Sequence, residues 1–130
     1  MKSLNRVYWL KIEKKQIENQ IKELTVLSAV SMSGMPSSGA VSSPVERFNE
    51  RLEQLREKLQ RKCAEILTEI ERIEGVIEQI EDHEIRVIAR ERFINNRKFQ
   101  AIGDQLHMDR TTAYKKLKTY FERSNNNENS

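Results

Sequence analysis

From Phe48 to Ile80, ten side chains follow one another at steps of three or four: Phe48, Leu52, Leu55, Leu59, Cys63, Ile66, Ile70, Ile73, Ile77 and Ile80. A helix of 3.6 residues per turn brings every third or fourth side chain to one face, so this spacing draws a single apolar seam. Glu, Lys and Arg fill the flanks. The seam predicts one helix over residues 44–82, about 58 Å long. A four-four step at Leu55, Leu59 and Cys63 shifts the stripe locally. Gly75 is a weak point, costing about 1 kcal/mol relative to alanine, but the pattern continues through it.

A helix of that length cannot bury its stripe alone. A candidate partner precedes it over residues 4–30, where Val7, Leu10, Ile17, Ile21, Leu24 and Leu27 recur at helical spacing between charged residues. The two are joined by residues 31–44, SMSGMPSSGAVSSP, with six Ser, two Gly, two Pro and no charge. Such a tract buries too little to order itself and reads as a flexible connection. Ser43 and Pro44 suit a helix start, a cap followed by a first-turn proline. Each buried Leu or Ile contributes roughly 1.5–3 kcal/mol. The helices are therefore expected to pair, as an antiparallel hairpin within the chain, as a homodimer between chains, or both. Only four Gly and two Pro occur in 130 residues, and 33% of residues are charged, which suits long exposed helices.

The pattern changes after residue 83. Ile85, Ile88, Ala89 and Phe93 make one short stripe ending at Asn95 and Asn96. Phe99, Ile102, Gly103 and Leu106 make a second. Asp109 is placed to cap a third helix, 110–123, with Ala113, Leu117 and Phe121 inward. Two short helices that cross closely need a small residue at the crossing, an apolar residue in the turn and a small one early in the following helix. Gly103, Met108 and Ala113 meet those needs in order, so residues 84–124 are expected to form a helix-turn-helix module, with 125–130 a disordered tail. The fold class expected is all-α: a coiled-coil-like helical hairpin arm over 1–83, then this module.

Charge follows the same division. Residues 1–83 carry 13 Lys and Arg against 14 Asp and Glu; residues 84–124 carry ten against five, a net of +5. A basic excess on a helix-turn-helix is the electrostatic footprint of double-stranded DNA. The outward positions of helix 110–123 are Arg110, Thr111, Thr112, Tyr114, Lys115 and Lys118. Arg110 and Lys115 could pair with guanine O6 and N7, and the threonines could meet thymine methyls or phosphates. Lys116 lies to the side, toward the DNA backbone. Arg97, Lys98 and Gln100, at the start of the preceding helix, are placed for a phosphate.

The stretch FINNRKFQAIGDQLHMDRTTAYKKL resembles region 4 of bacterial sigma factors, the part that reads the upstream promoter element. Over about residues 8–121, the chain resembles small proteins of Gram-positive phages and prophages, related to late-operon regulators of the ArpU type. These share the order of a helix, a Met-Pro-Ser loop (here Gly34-Met35-Pro36-Ser37-Ser38), a long Glu/Leu/Ile-rich helix and a sigma-region-4-like module. The resemblance implies a transcriptional regulator that binds DNA, with host RNA polymerase as a candidate second partner. The chain departs from it at Gly103, where alanine is usual, at His107, where glycine is usual, and at Ala113, where valine is usual. His107 would need a left-handed backbone. No sigma-like DNA-melting segment is present, so a full sigma factor is not expected.

Other functions have less support. His83, His107 and Cys63 lack metal-ligand spacing, and no phosphate-binding glycine loop occurs, so neither an enzyme nor a cofactor is expected. No apolar run is long enough for a membrane span, and no leader pattern opens the chain, so a cytoplasmic protein is expected. Cys63 alone makes no internal disulfide and suits a reducing compartment. Two alternatives remain: a small terminase-like DNA-packaging subunit, or a helical protein-binding adaptor. Module order weakly favours the regulator, because small terminases usually place the DNA module first.

Overall fold

A computed structural model describes residues 1–32 and 44–128 of the chain. Among them there are five α-helices and no strand: α1 (Arg6–Met32), α2 (Pro44–Glu78), α3 (His83–Phe93), α4 (Phe99–Leu106) and α5 (Arg110–Glu128), preceded by a 3-10 turn, Lys2–Leu4. The all-α class expected from periodicity is the class observed. Most of the expected flexible loop, with its Met-Pro-Ser sequence and the Ser43 cap, lies outside the described residues, as do 129–130 of the expected tail. No helix among the described residues is long and apolar enough to cross a membrane.

The chain divides into two compact units. One, Leu10–Ile66, is a two-helix hairpin made of most of α1 and the first two-thirds of α2. Its direction is read from its register. Lys62 Nζ lies 2.7 Å from Glu13 Oε2, whereas Gln20, Leu24 and Leu27 line one groove with Arg51 and Leu55. Numbers rise along α1 as they fall along α2, which makes the pair antiparallel. Leu10, Ile17, Leu55 and Ile66 are buried between them. Phe48, Leu52, Leu59 and Cys63 are half-buried, so the α2 seam faces its partner as its spacing predicts. The α1 stripe fades instead: Leu27, expected inward, is 51% exposed, beside exposed Val26 and Val30.

The other unit joins Met1–Trp9 to Leu67–Ser130. Its apolar core combines Ile88, Ala89, Phe93, Ile102, Ala113 and Leu117 of the three short helices with Leu4, Val7, Ile73, Ile77 and Ile80. The core thus extends beyond the 84–124 stretch legible as a module, drawing on both ends of the arm. Polar groups tie these pieces together. Glu69, buried, accepts two N–H bonds from Arg72 at 3.0 and 2.6 Å, and Arg72 also donates to the Ser3 carbonyl at 2.9 Å. A buried carboxylate needs such partners, because removing it from water is otherwise costly. Glu74 accepts a two-pronged bond from Arg90 of α3 at 2.9 and 3.0 Å, which holds its carboxyl below the usual carboxylate range.

α2 stops at Glu78, four residues before the expected end at 82. Gln79 and Ile80 bond back three residues, to Val76 and Ile77, in tightened 3-10 fashion. Asp82 then adopts an extended backbone, and its carboxylate accepts the Ile85 N–H at 3.0 Å as the cap of α3. Ile80 still reaches the core and is fully buried, so the apolar period survives the turn. Periodicity alone could not place this break.

Candidate functional site

α3 ends in a turn through Asn95 and Asn96. Asn96 sits at a left-handed φ of 58°, a conformation open to asparagine because its short side chain can bond locally. α4 follows, capped at its end by His107 at φ 56° and ψ 45°. This is the left-handed backbone expected at the position where the resembled family carries glycine. The Met108 N–H bonds to the Gly103 carbonyl at 2.9 Å and closes the turn. Asp109 accepts the Thr111 N–H at 3.2 Å, so the expected cap of α5 is present. α5 runs to Glu128, beyond the 123 expected.

The packing of α4 against α5 turns on Gly103. A Cβ there would lie 2.6 Å from the Met108 carbonyl oxygen, 3.2 Å from the Arg110 nitrogen and 3.3 Å from the Asp109 carbonyl carbon. All three are backbone atoms, which cannot rotate aside. Ala113 and Leu117 on α5 are fully buried, as is Ile102 beside Gly103. Phe121 meets Phe93 edge-on, with ring centroids 5.9 Å apart. Gly103→Ala is therefore expected to destabilise this unit by about 1–3 kcal/mol, read as a lower urea midpoint. An unchanged midpoint would mean that the 107–110 turn shifts at no cost.

With its inner face committed to the core, α5 turns Arg110, Thr111, Thr112, Tyr114, Lys115, Lys116 and Lys118 to solvent. Their availability differs. Lys116 forms an ion pair with Glu84 of α3, whose carboxylate holds the ammonium above the usual lysine range. Lys118 lies 3.9 Å from Glu122 and 5.8 Å from the Tyr114 ring centre. Tyr114 meets Phe99 edge-on at 5.4 Å. At the α4 end, Arg97 is held by Glu91 at 3.0 Å and also donates to Gln105. Gln100 donates to Asp104 at 3.1 Å.

Lys98, Arg110 and Lys115 are exposed and, among the described residues, have no carboxylate within ion-pair distance. The ten site residues expected from sequence therefore sort into two groups. Arg110, Lys115 and Lys98, with Thr111 and Thr112, present free polar groups, whereas Arg97, Gln100, Lys116 and Lys118 already answer to acidic neighbours and Tyr114 is engaged with the Phe99 ring. Tyr8 and Trp9 went unnoticed in the sequence. Their signal was two adjacent aromatics between the inward Val7 and Leu10, one of them the chain's single tryptophan, and both are exposed.

A family model, described as Protein of unknown function (DUF1492), matches residues 26–125. The chain belongs to that family. The DUF1492 match begins near the end of α1 and takes in α2 through most of α5. No curated protein and no solved structure shows a significant match to the chain.

Proposed function

We propose that this DUF1492 chain is a sequence-specific DNA-binding transcriptional regulator of phage or prophage type, with α4 and α5 acting as a helix-turn-helix. The observation that carries the reading is the pair of exposed, unpaired cations Arg110 and Lys115 in the first turns of α5. The N-terminal part of a recognition helix is the part that reaches base edges. Thr111 and Thr112 accompany them, and Lys98 stands ahead of α4 for a phosphate. The net charge of +5 over 84–124 and the resemblance to sigma region 4 and ArpU-type regulators support the same assignment.

The hairpin serves as the partner-binding arm in this reading. Val26, Leu27 and Val30 are exposed near the end of α1, and apolar side chains clustered in water favour association. A homodimer would place two reading helices on half-sites about one DNA turn apart. Host RNA polymerase is the second partner that the resemblance implies.

Selection of bound duplexes from a random DNA pool, followed by salt titration of the best one, tests the proposal. A recurring sequence is expected, with log affinity falling linearly against log salt as phosphates are neutralised. Failure to enrich any sequence, with no salt-dependent binding, would overturn it.

A further inference from the structure

Beside the start of α4 lies a cavity of about 390 Å³ lined by Asn5, Tyr8, Trp9, Arg92, Asn96 and Lys98. Its lining holds two cations, two amides and two aromatic rings, and no acid. Trp9 is 60% exposed and Tyr8 44%, with their rings edge-on at 5.2 Å. Aromatic bodies of that size usually contribute to a core or an interface, yet Val7 and Leu10 take the inward positions here. Arg92 is held in place: its guanidinium lies 4.5 Å from the centre of the Phe99 ring and donates to the Arg97 carbonyl at 3.1 Å. Lys98 has no carboxylate partner among the described residues. The cavity therefore offers a fixed cation, a free cation and a flat apolar wall together.

We propose that this cavity seats a sugar–phosphate segment of the DNA duplex outside the groove read by α5, with the phosphate between Lys98 and Arg92 and the deoxyribose against Trp9. The inference rests on the reading of α4 and α5 given above and extends it to the first turn of α1. An anion is favoured because every charge in the lining is positive. A sugar-bearing anion is favoured over a bare one because the indole beside the cations is a surface for a ring, not a charge. Lys98 belongs to both this cavity and the phosphate position ahead of α4, so the two contacts are continuous along one strand. Asn5 adds an amide to the lining for phosphate or sugar oxygens, while the Asn96 amide nitrogen donates to the Phe93 carbonyl at 3.4 Å.

Trp9 is the only tryptophan, so tryptophan emission reports on this ring and the two cavities it lines, the second with Ser3, Arg6, Glu69 and Arg72. The full-length chain is titrated at low salt with a labelled duplex of about three helical turns, and label anisotropy and tryptophan emission are followed together. Emission is expected to change in step with anisotropy. Trp9→Ala is expected to weaken binding roughly fivefold, the loss that follows when roughly 40 Å² of sugar–indole contact stays in water, without altering the melting temperature, because the side chain is exposed. Lys98→Ala is expected to lower the slope of log affinity against log salt by about one.

If the duplex binds while emission stays constant and Trp9→Ala binds as tightly as the unaltered chain, the cavity proposal falls and the α5 reading stands. An emission change produced by a free nucleotide or an acidic peptide, but not by the duplex, also overturns it. If no duplex binds at any salt concentration, both readings fall together.

Discussion

Replacing Arg110 and Lys115 together with alanine is expected to weaken binding to the preferred duplex by at least about thirtyfold, since each bidentate base contact of the proposed kind contributes roughly 1–3 kcal/mol. The fold should not change. Both side chains are exposed and neither has a carboxylate partner to orphan. The loss has two parts that can be separated. Removing two positive charges weakens binding to every sequence, and removing two base contacts weakens binding to the preferred one more. A charge-matched control, Lys22→Ala with Lys58→Ala on exposed positions of the hairpin, removes the same charge and none of the base contacts. Competition between preferred and random duplexes should show specificity collapsing only in the α5 variant. Equal loss of affinity in both variants would reduce α5 to a generic basic face.

Leu117→Ala should cost the same unit about 2–5 kcal/mol, the range for deleting a large buried aliphatic side chain. Leu117 is fully buried in one cluster with Ile88, Phe93, Ile102 and Ala113, so little room exists for neighbours to close over the cavity. Total stabilities are about 5–15 kcal/mol, and the variant would forfeit a large share. Urea unfolding followed by circular dichroism should show a lower midpoint at unchanged slope, the mark of lost stability without a change in exposed surface. A shift worth under about 1 kcal/mol would mean that α5 is not anchored through Leu117. The contrast with Arg110 and Lys115 is informative: these three residues lie within eight positions of one helix, and only Leu117 should affect folding.

Much of this is legible in the sequence. The α2 seam from Phe48 to Ile80 is buried or half-buried at each of its ten positions, because helical periodicity is a local property that a chain cannot conceal. The turn between α4 and α5 was legible for a related reason. A cap at Asp109 and a small residue at Gly103 are each demanded by backbone geometry within a few positions, and the left-handed backbone at 107 was implied by the resemblance, through the glycine usual there. The end of α2 was less legible, since a 3-10 turn that keeps Ile80 buried preserves the apolar period while breaking the helix.

The candidate site divides along the same line. Which residues point outward from α5 followed from the positions of Ala113 and Leu117. Which of those outward cations are free did not. Lys116 is neutralised by Glu84, 32 positions away, and Arg97 by Glu91 across a turn, with a further bond donated to the Gln105 amide oxygen. No spacing rule predicts such pairs, because they depend on how α3 packs against its neighbours.

The cavity at Trp9 is the extreme case. Asn5, Tyr8 and Trp9 stand more than eighty positions before Arg92, Asn96 and Lys98. The sequence by itself determined the α2 seam, the inward faces of the three C-terminal helices and the turn that sets α4 against α5, since these rest on periods and caps only a few residues long. Tertiary structure alone decided that Leu4 and Val7 share a core with Leu117, which cations remain unpaired, and where aromatic rings meet basic side chains. Those outcomes depend on distances in space between segments remote in the chain, and local physics sets no such distance.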